Sequence, residues 1–158
     1  MITDWAGIVW KRMPKRLRRL AVVLTQQRFT VSGAVVITDR DGRILLLDHY
    51  IRPRSGWGLP GGFISKNEQP EAGVRREVHE ETGLKVTEVR LLNVCITGAH
   101  CEIVFAANAE GEPTINTREI RGFGWFGGSD LPSDIDPEQK RRIGELLRRS
   151  FEKSEMAD

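Results

Sequence analysis

The sequence predicts an α/β domain in which a mixed β-sheet carries packed helices, with an amphipathic helical segment in front of it. Three observations lead there. The chain has 158 residues, which fits one domain with a sizeable core. Its apolar periodicity alternates between the helical and the extended pattern in the order α, several β, α, several β, α. Hydrophobic residues make up 39% and charged residues 29%, with 16 Gly and 7 Pro, which excludes disordered, collagen-like and disulfide-scaffold classes. The apolar runs, such as 20–24 and 44–47, fall far short of the roughly 20 residues a membrane-spanning helix needs.

Residues 4–26 read as two helical turns, a break at Pro14 and a longer helix whose Leu17, Leu20, Ala21 and Leu24 recur at i, i+3, i+4, i+7. Lys15, Arg16, Arg18 and Arg19 take the opposite face. Residues 1–30 hold seven Lys or Arg against Asp4 alone, although the whole chain is only +2. Such a face could touch nucleic acid or anionic lipid; a solvated face on a docked helix is the ordinary outcome. The basic start followed by a short apolar run mimics a secretory signal, but it ends in Gln26-Gln27-Arg28 without a small-residue cleavage site.

Residues 29–38 and 43–50 are β-branched and apolar around Asp39-Arg40-Asp41-Gly42, the pattern of a β-hairpin. A Pro, Gly and Arg-rich loop over 52–58 precedes a short extended piece bent at Gly61 and Gly62. A helix then starts at Pro70 and stops at Gly83. Strands over 86–96 and 102–107 join around Gly98, a register that would set Cys95 opposite Cys101. A strand over 119–126 follows, and Asp136 with Pro137 opens a final helix with Ile143, Leu146 and Leu147 on one face. The two cysteines lack CxxC or zinc spacing and read as free thiols in a reducing, cytoplasmic setting. The chain divides into a basic helical extension at 1–28, a domain at 29–152 and a tail at 153–158.

The chemistry concentrates between Gly62 and Leu84. At about 100° per residue, Glu77, Glu80 and Glu81 share one helical face, where like charges repel. A cluster of oxygen ligands suits a hard divalent cation, Mg2+ or Mn2+, and through it phosphate chemistry. Gly73 leaves room on the carboxylate side for a bulky ligand. Arg76 is placed to pair in bidentate fashion with Glu68 and fix the preceding loop. Gly61 and Gly62 let a main-chain carbonyl reach a metal held by the helix. No histidine has ligand spacing.

Gly62, Glu68, Arg76, Glu77, Val78, Glu80, Glu81, Gly83 and Leu84 together match the Nudix box, so the chain resembles the Nudix hydrolases. The resemblance extends to Trp57-Gly58-Leu59-Pro60 before the box and to Trp125-Phe126 with Leu131-Pro132 after it. It implies a Nudix-type α/β/α sandwich and a metal-dependent pyrophosphohydrolase. The substrate would be a nucleoside diphosphate linked to another moiety, such as a nucleoside triphosphate or a nucleotide sugar like ADP-ribose. It assigns metal binding to Glu77, Glu80, Glu81 and the Gly61 carbonyl, with Glu77 also a candidate for activating water. It implies structural roles for Gly62, Glu68, Arg76 and Gly83. Glu119 is the candidate for a further carboxylate, although Gly122 stands where the family commonly has a second acid. Arg52 and Arg54 are candidates for holding phosphate, and Trp57 and Phe126, with Tyr50 and Phe63, for stacking on a base. The substrate partner is a small nucleotide. Nucleic acid is not favoured, and the apolar face of 17–24 would permit a homodimer. Two other readings stay open: a nucleotide-sensing module without turnover, and a pyrophosphohydrolase of RNA 5′ ends gripped by the basic helix.

Overall fold

The structure, a computed structural model, describes residues 2–52, 55–128 and 130–155. It divides into two compact units, residues 1–30 and 31–158. In the first, α1 (Ile2–Arg12) and α2 (Lys15–Thr25) are separated at Pro14, which cannot continue a helix. Arg18 pins the elbow by donating to the carbonyls of Lys11 and Met13, and its guanidinium lies over the Trp10 ring. No α2 residue is buried, and Leu17, Leu20 and Leu24 are exposed.

The second unit holds β1 (Thr30–Ile37, its first residue in the first unit), β2 (Ile44–His49), β3 (Trp57–Gly58), β4 (Gly61–Phe63), α3 (Pro70–Thr82), β5 (Lys85–Thr97), β6 (His100–Glu110), β7 (Ile120–Phe126) and α4 (Pro137–Glu155). The strands form two sheets, ordered β4-β1-β6-β5 and β3-β2-β7. The hairpin expected of β1 and β2 does not form. They lie in different sheets, and past the end of β1 the chain is joined to β2 by the Thr38–Ile44 bridge. The reason lies in their composition: each is apolar on both faces, so each sits inside a sheet between two other strands.

That two-sided burial defines the layers. Ala34, Val36, Ile44, Leu46, Val104 and Ala106 face a cluster completed by Ile143, Leu146 and Leu147 of α4. The intervening Val35, Ile37, Leu45, Leu47, Phe105 and Ala107 face the opposite cluster with Val74 and Val78 of α3. Period-two alternation in the strands thus separates the two helices onto opposite sides of the sheets, giving the expected α/β/α sandwich. Gly83, in the left-handed conformation at φ 70°, ends α3 and returns its N–H to the His79 carbonyl.

The β5–β6 turn corrects a second expectation. It comprises Gly98 and Ala99, so Ile96 pairs with Cys101 and Cys95 with Glu102. A one-residue slip puts successive side chains on opposite faces, and both cysteines are free. Asp136 accepts from the Gln139 N–H at the start of α4, which runs through Glu155. Residues 156–158 of the expected tail lie outside the described residues.

Candidate active site

The site is built where α3 passes β4. β4 pairs with β1 through Gly61–Ala34, Gly62–Gly33 and Phe63–Ser32. Two glycines are required there. Gly61 has φ 140°, and a Cβ on it would lie 2.2 Å from the Gly33 carbonyl oxygen. A Cβ on Gly62 would lie 2.5 Å from the Glu77 carboxylate carbon, so this glycine is the cradle into which that acid folds.

Glu81 lies deepest. It is 9% exposed, and its Oε2 accepts the Gly61 N–H at 3.0 Å. Burial pushes its carboxyl up to about 7, with the Glu77 and Glu119 charges pushing the same way and the Gly61 N–H and Arg52 opposing. Glu77 and Glu80 share Nη1 of Arg76, at 2.8 and 3.4 Å. The same guanidinium makes the expected bidentate pair with Glu68, Nε to Oε1 at 2.8 Å and Nη2 to Oε2 at 3.0 Å. Glu68 also accepts the Ser65 N–H, and these bonds pull its carboxyl down to about 2. One arginine thus fixes the loop ahead of α3 and two of the three acids on it.

Gly73 corrects a further expectation. The space beside it is filled by Ile64 and the Glu68 carboxylate, which a Cβ would meet at 2.6 and 3.2 Å. The glycine therefore lets the box's own loop close on the helix and leaves no opening for a ligand.

Glu119 stands in the exposed turn before β7, joined to the site by the bond from the Tyr50 N–H to its carbonyl at 2.7 Å. Its carboxylate is near enough to act on Glu81. Arg52 is half-buried, donates to the Leu59 carbonyl and feels the Glu81 charge. Trp57 and Phe126 meet edge to face at 5.1 Å and pack on the α4-side core. Tyr50 and Phe63 keep exposed rings, Tyr50 beside Arg121 and Phe63 beside His100. Arg54 lies outside the described residues.

Sequence reasoning passed over His49. It is buried, its Nδ1 lies 3.8 Å from Oε1 of Glu81, and its Nε2 has no hydrogen-bond partner among the described residues. Burial, helped by the Arg52 charge, lowers its pKa to about 4, so near neutral pH it is an uncharged polar wall and the contact is not an ion pair. The signal was present: His49 follows Leu45 and Leu47 at the two-residue spacing that turns toward α3.

As they stand, no three acid, histidine or cysteine side chains converge at metal-holding distance among the described residues. Arg76 holds Glu77 and Glu80, and the Gly61 N–H holds Glu81. The donor chemistry nevertheless fits a hard divalent cation, since every group is an oxygen donor. Mutual repulsion within the acid cluster, already expressed in the raised Glu81, fits it too.

Comparison with known proteins agrees with this geometry. The NUDIX domain model matches residues 28–147. A MutT-like protein of Streptomyces ambofaciens is 36% identical over 100 residues, 61% of this chain and 63% of the relative. The NAD-capped RNA hydrolase NudC of Citrobacter koseri is 30% identical over 106 residues, 65% of this chain but only 41% of that protein. The chain thus spans less than two thirds of the length of either relative. The crystal structure of the MutT NUDIX hydrolase from Burkholderia pseudomallei superposes with a TM-score of 0.66 at 32% identity, covering 78% of this chain and 98% of that one. With the box residues, the sandwich and the family match over residues 28–147 in agreement, this chain belongs to the NUDIX domain family.

Proposed function

We propose that the chain is a divalent-metal-dependent pyrophosphohydrolase that cleaves the diphosphate of a nucleoside diphosphate linked to another moiety, a nucleoside triphosphate or a nucleotide sugar such as ADP-ribose. The observation that carries this reading is the arrangement of Glu77, Glu80 and Glu81 on one face of α3, with Glu81 buried against the Gly61 N–H and the other two gathered by Arg76. Glu77, Glu80, Glu81 and the Gly61 carbonyl would hold Mg2+ or Mn2+, which when bound neutralises diphosphate oxygens and acidifies a water. Arg76 keeps two of these acids in place and Glu68 keeps Arg76 in place. Glu77 is assigned to orient or deprotonate the attacking water, with Glu119 as the additional carboxylate. No covalent nucleophile is needed, because hydrolysis at phosphorus proceeds by positioning and charge stabilisation.

Arg52, turned toward the acid cluster, is assigned to a phosphate. The exposed rings of Tyr50 and Phe63 are better placed to receive a base than Trp57 and Phe126, whose rings pack on each other. The two free thiols support a cytoplasmic setting.

The test is product release from nucleoside triphosphates, ADP-ribose, other nucleotide sugars, dinucleoside polyphosphates and capped RNA, with Mg2+ and then with EDTA. Turnover of a small nucleotide that EDTA abolishes is the expected result. Nucleotide binding with no turnover on any member would replace it with a sensing module. Turnover confined to RNA, the substrate class in the name of the NAD-capped RNA hydrolase NudC, would replace it with an RNA enzyme.

A further inference from the structure

We propose that residues 2–25 form an interfacial anchor that lays the protein on an anionic lipid surface. α1 and α2 have 11 residues each, about 16 Å apiece, too short to cross a hydrocarbon core of about 30 Å. Both are amphipathic. On α1, Trp5, Val9 and Trp10 with Ala6 fall within about 140° of one another, opposite Lys11. On α2, Leu17, Leu20, Ala21 and Leu24 occupy about 100°, with Lys15, Arg16 and Arg19 turned away. On these faces Trp5 is 73% exposed, Leu17 54%, Leu20 52% and Leu24 74%.

The charge selects the occupant. Lys11, Arg12, Lys15, Arg16, Arg19 and Arg28 are all exposed, and Asp4 is the single acid in residues 1–30. A helix with tryptophan and leucine on one side and Lys or Arg on the other is the pattern that settles at a headgroup boundary, rings and aliphatic chains below, cations at the phosphates. RNA would satisfy the cations but leave Leu17, Leu20 and Leu24 in water. A second copy joined through the same faces would cover the leucines but leave the outward cations without a counter-charge. An anionic bilayer satisfies both faces at once. The inference rests on the N-terminal residues through Arg28 and stands whether or not the catalytic reading does.

The test is co-sedimentation of the full chain with phosphatidylcholine vesicles and with vesicles containing phosphatidylglycerol, at low and high salt. Binding should require the anionic lipid, weaken with salt, and shift tryptophan emission to the blue. Arg16→Gln and Arg19→Gln should each weaken partitioning about fivefold. Leu20→Glu with Leu24→Glu should abolish it, while circular dichroism shows the fold intact, since both side chains are exposed. Four results would overturn the proposal: no sedimentation with anionic vesicles, equal binding to neutral ones, unaltered binding by the double leucine variant, or preference for a single-stranded RNA oligomer over the vesicles.

Discussion

Arg76 does what no lysine could, because a planar guanidinium can grip Glu68 along one edge while reaching Glu77 and Glu80 with another nitrogen. Arg76→Lys should therefore cost about tenfold or more in kcat, as loss of a group that positions metal ligands commonly does. The check is kcat against Mg2+ concentration, where excess metal restores part of the loss if positioning is the cause. The pair has a pH signature as well. Glu68 has its folded pKa lowered from 4.5 to about 2, so its contribution to stability is complete above 4.5 and disappears as pH falls toward 2. The stability gap between wild type and Glu68→Gln should close over that interval in urea titrations, and shrink in salt because the pair is only half-buried. Glu81 has the opposite sign. Its carboxyl keeps a proton up to about 7 when folded, against 4.5 in the unfolded chain, so burying its charge costs stability that is absent below 4.5 and fully felt above 7. Glu81→Gln should thus be more stable than wild type in EDTA at pH 8, by up to about 3 kcal/mol, with the difference gone near pH 4.5. Its kcat should nevertheless fall at least ~10²-fold, since shape is kept while the charge is removed. Near-normal turnover in that variant would contradict the site.

Where β1, β4 and α3 meet, small residues decide how closely the elements approach. A Cβ on Gly33 would lie 2.3 Å from Cγ1 of Val74, a branched and buried side chain with little freedom to move. Gly33→Ala should destabilise by about 1–3 kcal/mol, as overpacking does, measured as a lower urea midpoint. Gly62→Ala meets the far end of a flexible glutamate instead, so it should leave the midpoint nearly unchanged while lowering kcat by displacing Glu77. The contrast between these two glycines also marks what a single chain reveals. The box, its helix and the Arg76–Glu68 pair follow from local spacing, because all lie within one loop and one helix. The partners of β1 and β2 do not, since a strand buried on both faces carries no local mark of which strands flank it. Cys95 and Cys101 were misaligned because one extra turn residue inverts every facing pair. Gly73 was misread because the group filling its space, Ile64, comes from a loop nine residues earlier. His49 was readable from strand alternation alone, but its nearness to Glu81 required knowing that β2 lies beneath α3.

The buried apolar side chains of the two core clusters run from Ala34 to Leu147, and none comes from residues 1–30. Apolar burial among residues 31–158 thus gives the sandwich a core of its own. The carboxylates on α3, Arg76, Glu68 and the Gly61 N–H likewise all belong to residues 31–158. The proposed catalytic and anchoring roles should therefore be separable. A chain lacking residues 1–28, which keeps all of β1, should unfold in one cooperative transition with a urea midpoint close to that of the full protein. Its kcat and KM on the best small nucleotide should stay within about twofold, since surface changes away from a site are normally worth less than ~0.5 kcal/mol. Mg2+ should raise the midpoint of both chains by the same amount, because a ligand bound only to the folded state stabilises by its concentration relative to Kd and by nothing else. A truncated chain that is folded but inactive on mononucleotides would show that the N-terminal helices take part in catalysis. A chain that fails to unfold cooperatively would show that the sandwich needs their cover.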